Sequence, residues 1–454
     1  MRRRKGVSAG TVFMILFTVM VLVATFAVMR SIRLQEGNLA MDAEQLLESV
    51  NELVAISRRH LQTTIAPEGE QPYTPAPAHA AVIYTPVPDA VALQPALQTP
   101  EMPAVTTVPH TRRQSLTMTF GGAVMLESAV VDGAYNKTTE AYAFEETLAG
   151  ISSAVHADLN IAVLENTFSA NAAKGNDLVA PLQALQSVIS AGFDGVALGT
   201  EHALAGGTES AEETLRALQN SGMIAVGLNL PGNTQHMKML RVNGMQVALL
   251  SYTEMLSQES QRAVPDKEQR NTMVQLFSEE QAIEDILLAK QRGAQAVIVF
   301  MHWGSKAATA PTQAQKKTAQ ALSDAGANVI IGTRSDAVQH VDLISAADGS
   351  HETLVAWSLG TLLNEDRGTR EVVSGVLLHA QLTYDAQSGR LSISGIEYTP
   401  TYSWRQEENG ALKYRVLISS QPAPEGMIQK QKEQMGRART LIQTSMSKGI
   451  GMER

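Results

Sequence analysis

Apolar and polar positions alternate regularly from Leu116 to Ile418, and this pattern predicts strands and helices that follow one another. Short apolar runs such as DLNIAVLEN and AQAVIVFMHWG are typical of buried strands, whereas APLQALQSVISAG and EEQAIEDILLAKQRG have the spacing of helices. Strands that alternate with helices favour a largely parallel sheet covered by helices. The pattern therefore predicts a layered α/β domain, which we place at residues 114–420.

Turn and capping signals divide this region into elements. A strand in SLTMTFGGAVML is expected to enter a turn at Gly121-Gly122, and Asn243-Gly244 predicts a hairpin. Ser210 and Ser278 each precede a Glu or Gln by three residues, which predicts a capping box at the start of a helix. The stretch VSGVLLHAQLTYDAQSGRLSISGIEY predicts a β meander, and residues 421–454 are expected to form a partly helical tail.

The pattern at the N-terminus predicts a membrane anchor. MRRRKG precedes Thr11–Met29, a run of 19 residues without a charge, and a helix of about 20 apolar residues spans a bilayer. Clustered basic residues stay on the cytoplasmic side. Residues 1–33 are therefore predicted to be a cytoplasmic tip and an uncleaved signal anchor. This would make the chain a single-pass protein of the cell membrane with its C-terminal domain extracellular. A cleavable signal peptide is the alternative.

Two further segments connect the predicted anchor to the domain. Apolar residues repeat with 4-3-4-3 spacing at Leu39, Ala43, Leu46, Val50 and Leu53. Residues 34–61 are thus predicted to form a juxtamembrane helix, in which residues 39–53 form either a short dimeric coiled coil or an amphipathic stalk. Residues 62–113 hold ten of the 17 prolines, which predicts an extended, semi-rigid extracellular linker.

Composition and charge exclude several classes of function. The chain has no cysteine, so disulfides, thiolate metal sites and cysteine nucleophiles are absent. Six of the 36 Lys and Arg residues lie in residues 1–33, which contain no Asp or Glu. The remaining residues carry a formal net charge of −15, which disfavours nucleic acid as a partner but leaves room for a local basic pocket.

Polar residues follow the predicted strands at their carboxyl ends, where ligands bind in α/β folds. The candidate site residues are Glu165, Glu201, His202, His302, Trp303, Arg334 and Asp336.

Two imidazoles and a carboxylate, from His202, His302 and Glu165, could hold one zinc or manganese ion with an open position for water. Histidines that only pack or form hydrogen bonds are the alternative. A two-metal centre needs more carboxylate, Asn and His ligands than these strand ends supply. No Walker loop, nucleophile elbow, dinucleotide fingerprint or HExxH motif is present, so no other cofactor is predicted.

Six motifs occur in an order that resembles the CapA family, the bacterial capsule and poly-γ-glutamate synthesis proteins. They are VLEN, AGFDGVALGTEHALAGGTESAEETLRAL, VIVFMHWG, ALSDAGANVIIG, WSLGT and EYTPTYSWRQ. The resemblance implies a calcineurin-like metallophosphatase fold with α-β-β-α layers. It also implies action on an envelope polymer, or contact with the capsule-synthesis machinery.

The chain departs from that family's pattern at most of its polar positions. Where the resemblance implies Gly-Asp, the chain has Gly121-Gly122, and Asn-Asn-His becomes Thr200-Glu201-His202. His-Pro-His becomes Arg334-Ser335-Asp336, whereas His302 and Glu165 are kept. The sequence therefore favours a degenerate, non-catalytic binding or assembly component. A remodelled single-metal hydrolase and a purely structural envelope anchor are the alternatives.

Overall fold

A computed structural model describes residues 113–172, 178–233, 236–306, 308–365, 373–408 and 410–450. The predicted signal anchor, the juxtamembrane helix and all of the proline-rich linker except Arg113 lie outside these residues. Among the residues that the structure describes, no helix is long and apolar enough to cross a membrane.

The larger of the two main sheets has eight strands and is mixed. Its central strand, β1, runs parallel to β4 and to β15 and antiparallel to β16, and β17 and β18 extend the antiparallel edge. The order across the sheet is β18-β17-β16-β1-β4-β7-β8, with β15 beside the end of β1. These strands are β1 (Arg113–Val124), β4 (Leu159–Leu164), β7 (Gly195–Ala197), β8 (Ile224–Val226), β15 (Thr361–Leu363), β16 (Val376–Asp385), β17 (Arg390–Glu408) and β18 (Ala411–Ile418).

The second main sheet has six strands in the order β13-β14-β12-β11-β10-β9, and its four central strands are parallel. The strands are β9 (Met237–Val242), β10 (Met245–Thr253), β11 (Ala296–His302), β12 (Val329–Thr333), β13 (Val341–Ser345) and β14 (Glu352–Ala356). Two small two-stranded pairs are formed by β2 (Tyr135–Asn136) with β3 (Ala141–Tyr142) and by β5 (Thr167–Ser169) with β6 (Val179–Pro181).

Helices connect the strands, together with 3-10 turns at Ser152–Ala154 and Leu182–Ala184. The helices are α1 (Ser128–Ala134), α2 (Glu145–Ala149), α3 (Leu185–Ala191), α4 (Gly207–Asn220), α5 (Gln258–Ala263), α6 (Lys267–Met273), α7 (Glu279–Gln291), α8 (Gln313–Ala325) and α9 (Gln429–Met446). The mixed α/β fold predicted from the alternating pattern is confirmed.

Three apolar clusters show how the elements are layered. One cluster takes alternate residues of both sheets, such as Phe120 from β1 and Phe300 from β11, and therefore lies between the two sheets. A second cluster packs α3 and α4 on the outer face of the first sheet. The third packs Ile286 of α7 and Leu322 of α8 on the outer face of the second sheet. The central strands of each sheet, such as β4, β10, β11 and β12, are thus buried on both faces, which explains why they are almost continuously apolar.

Two local predictions are wrong. Gly121-Gly122 does not form a turn, because β1 continues through both residues with a shift of register against β4. Ser210 does not cap a helix, because α4 begins at Gly207, one turn earlier. The Ser210 hydroxyl lies inside the helix and donates to the Phe168 carbonyl at 3.0 Å.

Two other local predictions are confirmed, and a third is confirmed in part. Ser278 is the N-cap of α7, where its hydroxyl accepts from the Gln281 backbone amide, but the predicted capping box is not completed because the Gln281 side chain donates to Asp285 Oδ1. Asn243 and Gly244 connect β9 to β10 with φ values of 50° and 81°, as a tight hairpin turn requires. The predicted meander is the antiparallel run β16-β17-β18.

Candidate functional site

The carboxyl ends of β4 and β11 bring a carboxyl group and an imidazole together in the interior. Glu165 directly follows β4, and His302 is the last residue of β11. His302 Nδ1 lies 3.4 Å from Glu165 Oε1 and 3.3 Å from the Thr333 hydroxyl at the end of β12. Glu165 Oε2 and His302 Nε2 are buried and have no hydrogen-bond partner among the described residues. The two strand ends thus hold polar atoms that the described part of the chain does not satisfy.

Burial determines the protonation of this pair. Burial, with added repulsion from Glu201 and Asp336, raises the pKa of Glu165 to about 8. Burial and the positive charge of Arg334 hold the pKa of His302 well below its usual value. At neutral pH the pair is therefore a protonated carboxyl group beside a neutral imidazole. This is the arrangement that the desolvation cost of two buried charges favours.

A second carboxylate, Glu201, is surrounded by basic groups. The Arg334 guanidinium Nη2 lies 3.3 Å from Glu201 Oε2, and Lys306 Nζ lies 3.7 Å from Oε1. His202 Nε2 lies 3.7 Å from the same Oε1, and burial lowers the pKa of His202. The side chains of Glu201 and Arg334 are only 9% and 13% exposed, so their ion pair is largely desolvated.

Arg334 is held in place by several contacts and by an unusual backbone conformation. It follows β12 with a φ of 83°, a left-handed conformation that is costly for a residue with a side chain. Its Nη1 donates to the Gly304 carbonyl, and its Nη2 contacts Met255 Sδ at 3.2 Å. Its buried Nε has no partner among the described residues. Such backbone strain is typical of functional sites, where the surrounding structure has to maintain it.

Asp336 lies close to this cluster, whereas Trp303 faces away from it. The Thr361 hydroxyl donates to Asp336 Oδ1 at 3.3 Å, and Asp336 contributes to the raised pKa of Glu165. Trp303 is almost fully buried and stacks on Trp357 in the core under α7 and α8. Successive side chains of a strand point to opposite faces, so the residue after His302 is directed into that core. Trp303 is thus a packing residue and was wrongly included among the candidates at the strand ends.

Sequence reasoning missed Lys306 and Met255, which both contribute to the site. Lys306 lies four residues after His302 in the loop that follows β11, and its side chain is 56% exposed. A basic residue in a loop directly after a strand-end histidine was the available signal. No sequence pattern pointed to Met255, because it reaches Arg334 from the loop that follows β10.

The donor groups of this site do not fit a two-metal centre. Across the described ranges, no group of three or more His, Asp or Glu side chains is placed so that it could hold a metal ion. Glu165, His202 and His302 therefore do not form such a group in this structure. Arg334 and Lys306 lie beside Glu201, and their positive charge opposes the binding of a cation at that carboxylate.

The end of β1 offers no room for an additional carboxylate ligand. A Cβ atom on Gly122 would lie 2.5 Å from the Gly360 carbonyl oxygen and 2.8 Å from that of Leu359. Both of these neighbours are backbone atoms, so a side chain at position 122 requires the segment before β15 to move. The first strand therefore supplies backbone, not a ligand, at this edge of the site.

Comparison with known proteins identifies one family. The family described as "Bacterial capsule synthesis protein PGA_cap" matches residues 117–366. The "Capsule biosynthesis protein CapA" of Bacillus anthracis is 26% identical over 277 residues, which cover 59% of this chain and 64% of that protein. The "PGA biosynthesis protein CapA" of Bacillus subtilis strain 168 is 26% identical over 171 residues, 37% of this chain and 42% of the relative. The chain thus spans less than two thirds of the length of each of these relatives.

Two solved structures show a more distant similarity. A phosphatase of Mycoplasma pneumoniae is 15% identical with a TM-score of 0.35, over 63% of this chain and 93% of that one. The calcineurin-like phosphoesterase YfkN of Bacillus subtilis is 12% identical with a TM-score of 0.33, over 73% of this chain and 98% of that one.

Proposed function

Because this chain belongs to the bacterial capsule synthesis protein family PGA_cap, we propose that it acts in the synthesis or export of a capsular or other envelope polymer as a non-catalytic binding or assembly component. Its folded domain is a calcineurin-like metallophosphatase scaffold that has lost its metal centre. The name of one relative, a PGA biosynthesis protein, supports poly-γ-glutamate as the polymer class. Thr11–Met29 anchors the chain in the cell membrane, with the folded domain outside the cell.

The ion pair between Arg334 and Glu201 is the observation that carries this proposal. The resemblance to the CapA family implies a His ligand at the position of Arg334 and an Asn ligand at that of Glu201. Arg334 Nη2 lies 3.3 Å from Glu201 Oε2. A guanidinium therefore provides the positive charge that would otherwise come from a metal ion. An Arg side chain keeps its charge at any physiological pH, so this positive charge is present throughout that range. A site neutralised in this way has a low affinity for a divalent cation, because Arg334 and Lys306 repel it.

The metal content of the full chain tests this proposal. The protein is purified without chelator, its metals are measured by mass spectrometry, and it is then titrated with Zn²⁺ and Mn²⁺ in a calorimeter. We expect far less than one metal ion per chain and no saturable binding at micromolar concentrations. Arg334→Ala and His302→Ala are measured in parallel, and circular dichroism verifies that both variants fold.

One bound ion per chain, lost in both His202→Ala and His302→Ala, would instead establish the remodelled single-metal hydrolase. In cells, we expect His302→Ala to restore polymer production to a strain that lacks the chain. Deletion of the folded domain should abolish production. Production by the anchor and linker alone would contradict a binding role and favour a purely structural anchor.

A further inference from the structure

Met255, in the loop that follows β10, differs in exposure from the other methionines of the described ranges. The residue is 42% exposed, whereas the others are buried or half-buried. The chain contains no cysteine, so thioethers are the only sulfur groups that it offers to an oxidant. A peroxide that reaches the folded protein therefore meets the Met255 thioether first.

The sulfur of Met255 contacts a charged group of the candidate functional site. Arg334 Nη2 donates to Met255 Sδ at 3.2 Å and to Glu201 Oε2 at 3.3 Å. Arg334 Nη1 donates to the Gly304 carbonyl. A thioether is a weak acceptor, but this one helps to hold a guanidinium whose side chain is only 13% exposed. Met255 is thus a contact of Arg334 that an oxidant can reach from solvent.

This contact determines how the sulfur can be oxidised. A hydroperoxide transfers one oxygen to a thioether: the S–O bond forms as the O–O bond breaks, and the sulfur loses two electrons. The proton of the transferred oxygen moves to the leaving oxygen, which departs as water or an alcohol. A thioether sulfur has two lone pairs, and attack at one or the other gives opposite sulfoxide epimers. Because one lone pair of Met255 faces Arg334 Nη2, attack at the other forms one epimer in excess.

The sulfoxide is a poorer partner for Arg334 than the thioether. Its sulfur carries a partial positive charge, because the S–O bond is polarised towards oxygen, and it faces a cation at 3.2 Å. In the favoured epimer the oxygen lies on the side of the sulfur away from Nη2, so it does not replace the lost acceptor. Oxidation thereby removes one of the contacts that hold Arg334 in its left-handed backbone conformation.

We propose that Met255 is an oxidation site, at which a hydroperoxide forms mainly one sulfoxide epimer and weakens the hold on Arg334. The exposed thioether and the contact between Met255 Sδ and Arg334 Nη2 support this site independently of the proposed function. The loop after β10 is then the place where a peroxide acts on the ion pair between Arg334 and Glu201.

Brief treatment of the full chain with hydrogen peroxide, followed by peptide mass spectrometry, tests the site. Trypsin releases Met255 in one peptide with Met245, because no Lys or Arg lies between Arg241 and Arg262. Met245 is 0% exposed and is therefore an internal control in the same peptide. We expect at least about tenfold more sulfoxide at Met255 than at Met245. Similar oxidation of the two methionines would overturn the site.

The two methionine sulfoxide reductases, each specific for one epimer, measure the direction of attack on the sulfur. After oxidation of the folded wild type, we expect one reductase to repair most of the Met255 sulfoxide. After oxidation of Arg334→Gln, or of the wild type in urea, each reductase should repair about half. The sample in urea provides this reference without a substitution. Equal repair in the folded wild type, or the same excess in a folded Arg334→Gln variant, would overturn the role of Arg334.

The melting temperature reports the contact that oxidation removes. The oxidised wild type should unfold about 1–2 °C below the reduced protein, as expected for the loss of one weak hydrogen bond. Met255→Leu conserves the volume but has no sulfur, so it is the matched control and should not respond to peroxide. An unchanged melting temperature in the oxidised wild type, or the same decrease in Met255→Leu, would show that Met255 does not hold Arg334.

Discussion

Glu165 shows how a single buried group can report on the whole cluster. In the unfolded chain its carboxyl group ionises near the usual pKa of 4.5, whereas in the folded chain burial, Glu201 and Asp336 raise the pKa to about 8. Between these values the folded state holds one more proton than the unfolded state. The free energy of unfolding therefore falls as the pH rises through this range.

Replacing Glu165 by Gln should remove this dependence on pH. The amide resembles the protonated carboxyl group, so the variant and the wild type should have similar stability near pH 5. Relative to that of the wild type, the free energy of unfolding of the variant should then rise by up to about 1.4 kcal/mol for each pH unit towards pH 8. Urea unfolding of the variant and the wild type at several pH values measures this difference in stability. The contribution of His302 at acid pH has the opposite sign, and it largely cancels because both proteins contain His302. Glu425→Gln, at an exposed position, is the control, and a constant difference across the pH range would contradict the assignment.

The residues of the site could be named from the sequence, but their partners could not. The place of each residue at or after the end of a predicted apolar strand was sufficient to select Glu165, Glu201, His302 and Arg334. Which carboxylate meets which cation depends on the twist of the strands and on loop conformations, such as the left-handed backbone of Arg334. That conformation has no signature in a single sequence, since most residues adopt it only under tertiary constraint.

At the scale of elements, β1 is the clearest difference between expectation and structure. Two consecutive glycines are a common turn signal. Here they continue the strand because the backbone of β15 and its preceding residues lies against them, which leaves no room for a Cβ at Gly122. A close approach of two backbones depends on contacts between residues more than two hundred positions apart. Periodicity predicted where the strands and helices lie, but it could not detect this contact.

The two glycines should respond differently to alanine. A Cβ at Gly122 meets two carbonyl oxygens, whereas a Cβ at Gly121 meets the side chains of Phe193 and Leu362, which can adjust. We expect Gly122→Ala to destabilise the protein by about 2–3 kcal/mol, and Gly121→Ala by about 1 kcal/mol or less. Thermal and urea unfolding of both variants measure which substitution lowers the stability more. A loss at Gly122 as small as the loss expected at Gly121 would show that the backbone before β15 moves easily, and that a side chain at position 122 could be accommodated.

At the scale of the whole molecule, the C-terminal elements complete the fold that the family match only begins. The match ends at residue 366, yet β16 pairs with β1 along nine residues, from Arg113 to Gly121. Helix α9 then places Ile442 and Met446 in the cluster between the two sheets. The amide of Ile450 also donates to the Val341 carbonyl of β13, so the last described residues contact the second sheet. The core between the sheets therefore depends on residues from both ends of the described chain.

This dependence predicts that α9 is required for stability. Ile442 is 1% exposed, so Ile442→Ala should leave a cavity in the core and lower the free energy of unfolding by about 2–5 kcal/mol. Ile428, directly before the same helix, is 60% exposed, and Ile428→Ala should change stability by less than about 0.5 kcal/mol. Urea unfolding followed by tryptophan fluorescence reports the loss, because Trp404 packs near α9. If both variants had the stability of the wild type, α9 would be an appendage, and a chain that ended before it would keep the core between the sheets intact. A single cooperative transition that shifts only in Ile442→Ala would instead show that this helix unfolds together with both sheets.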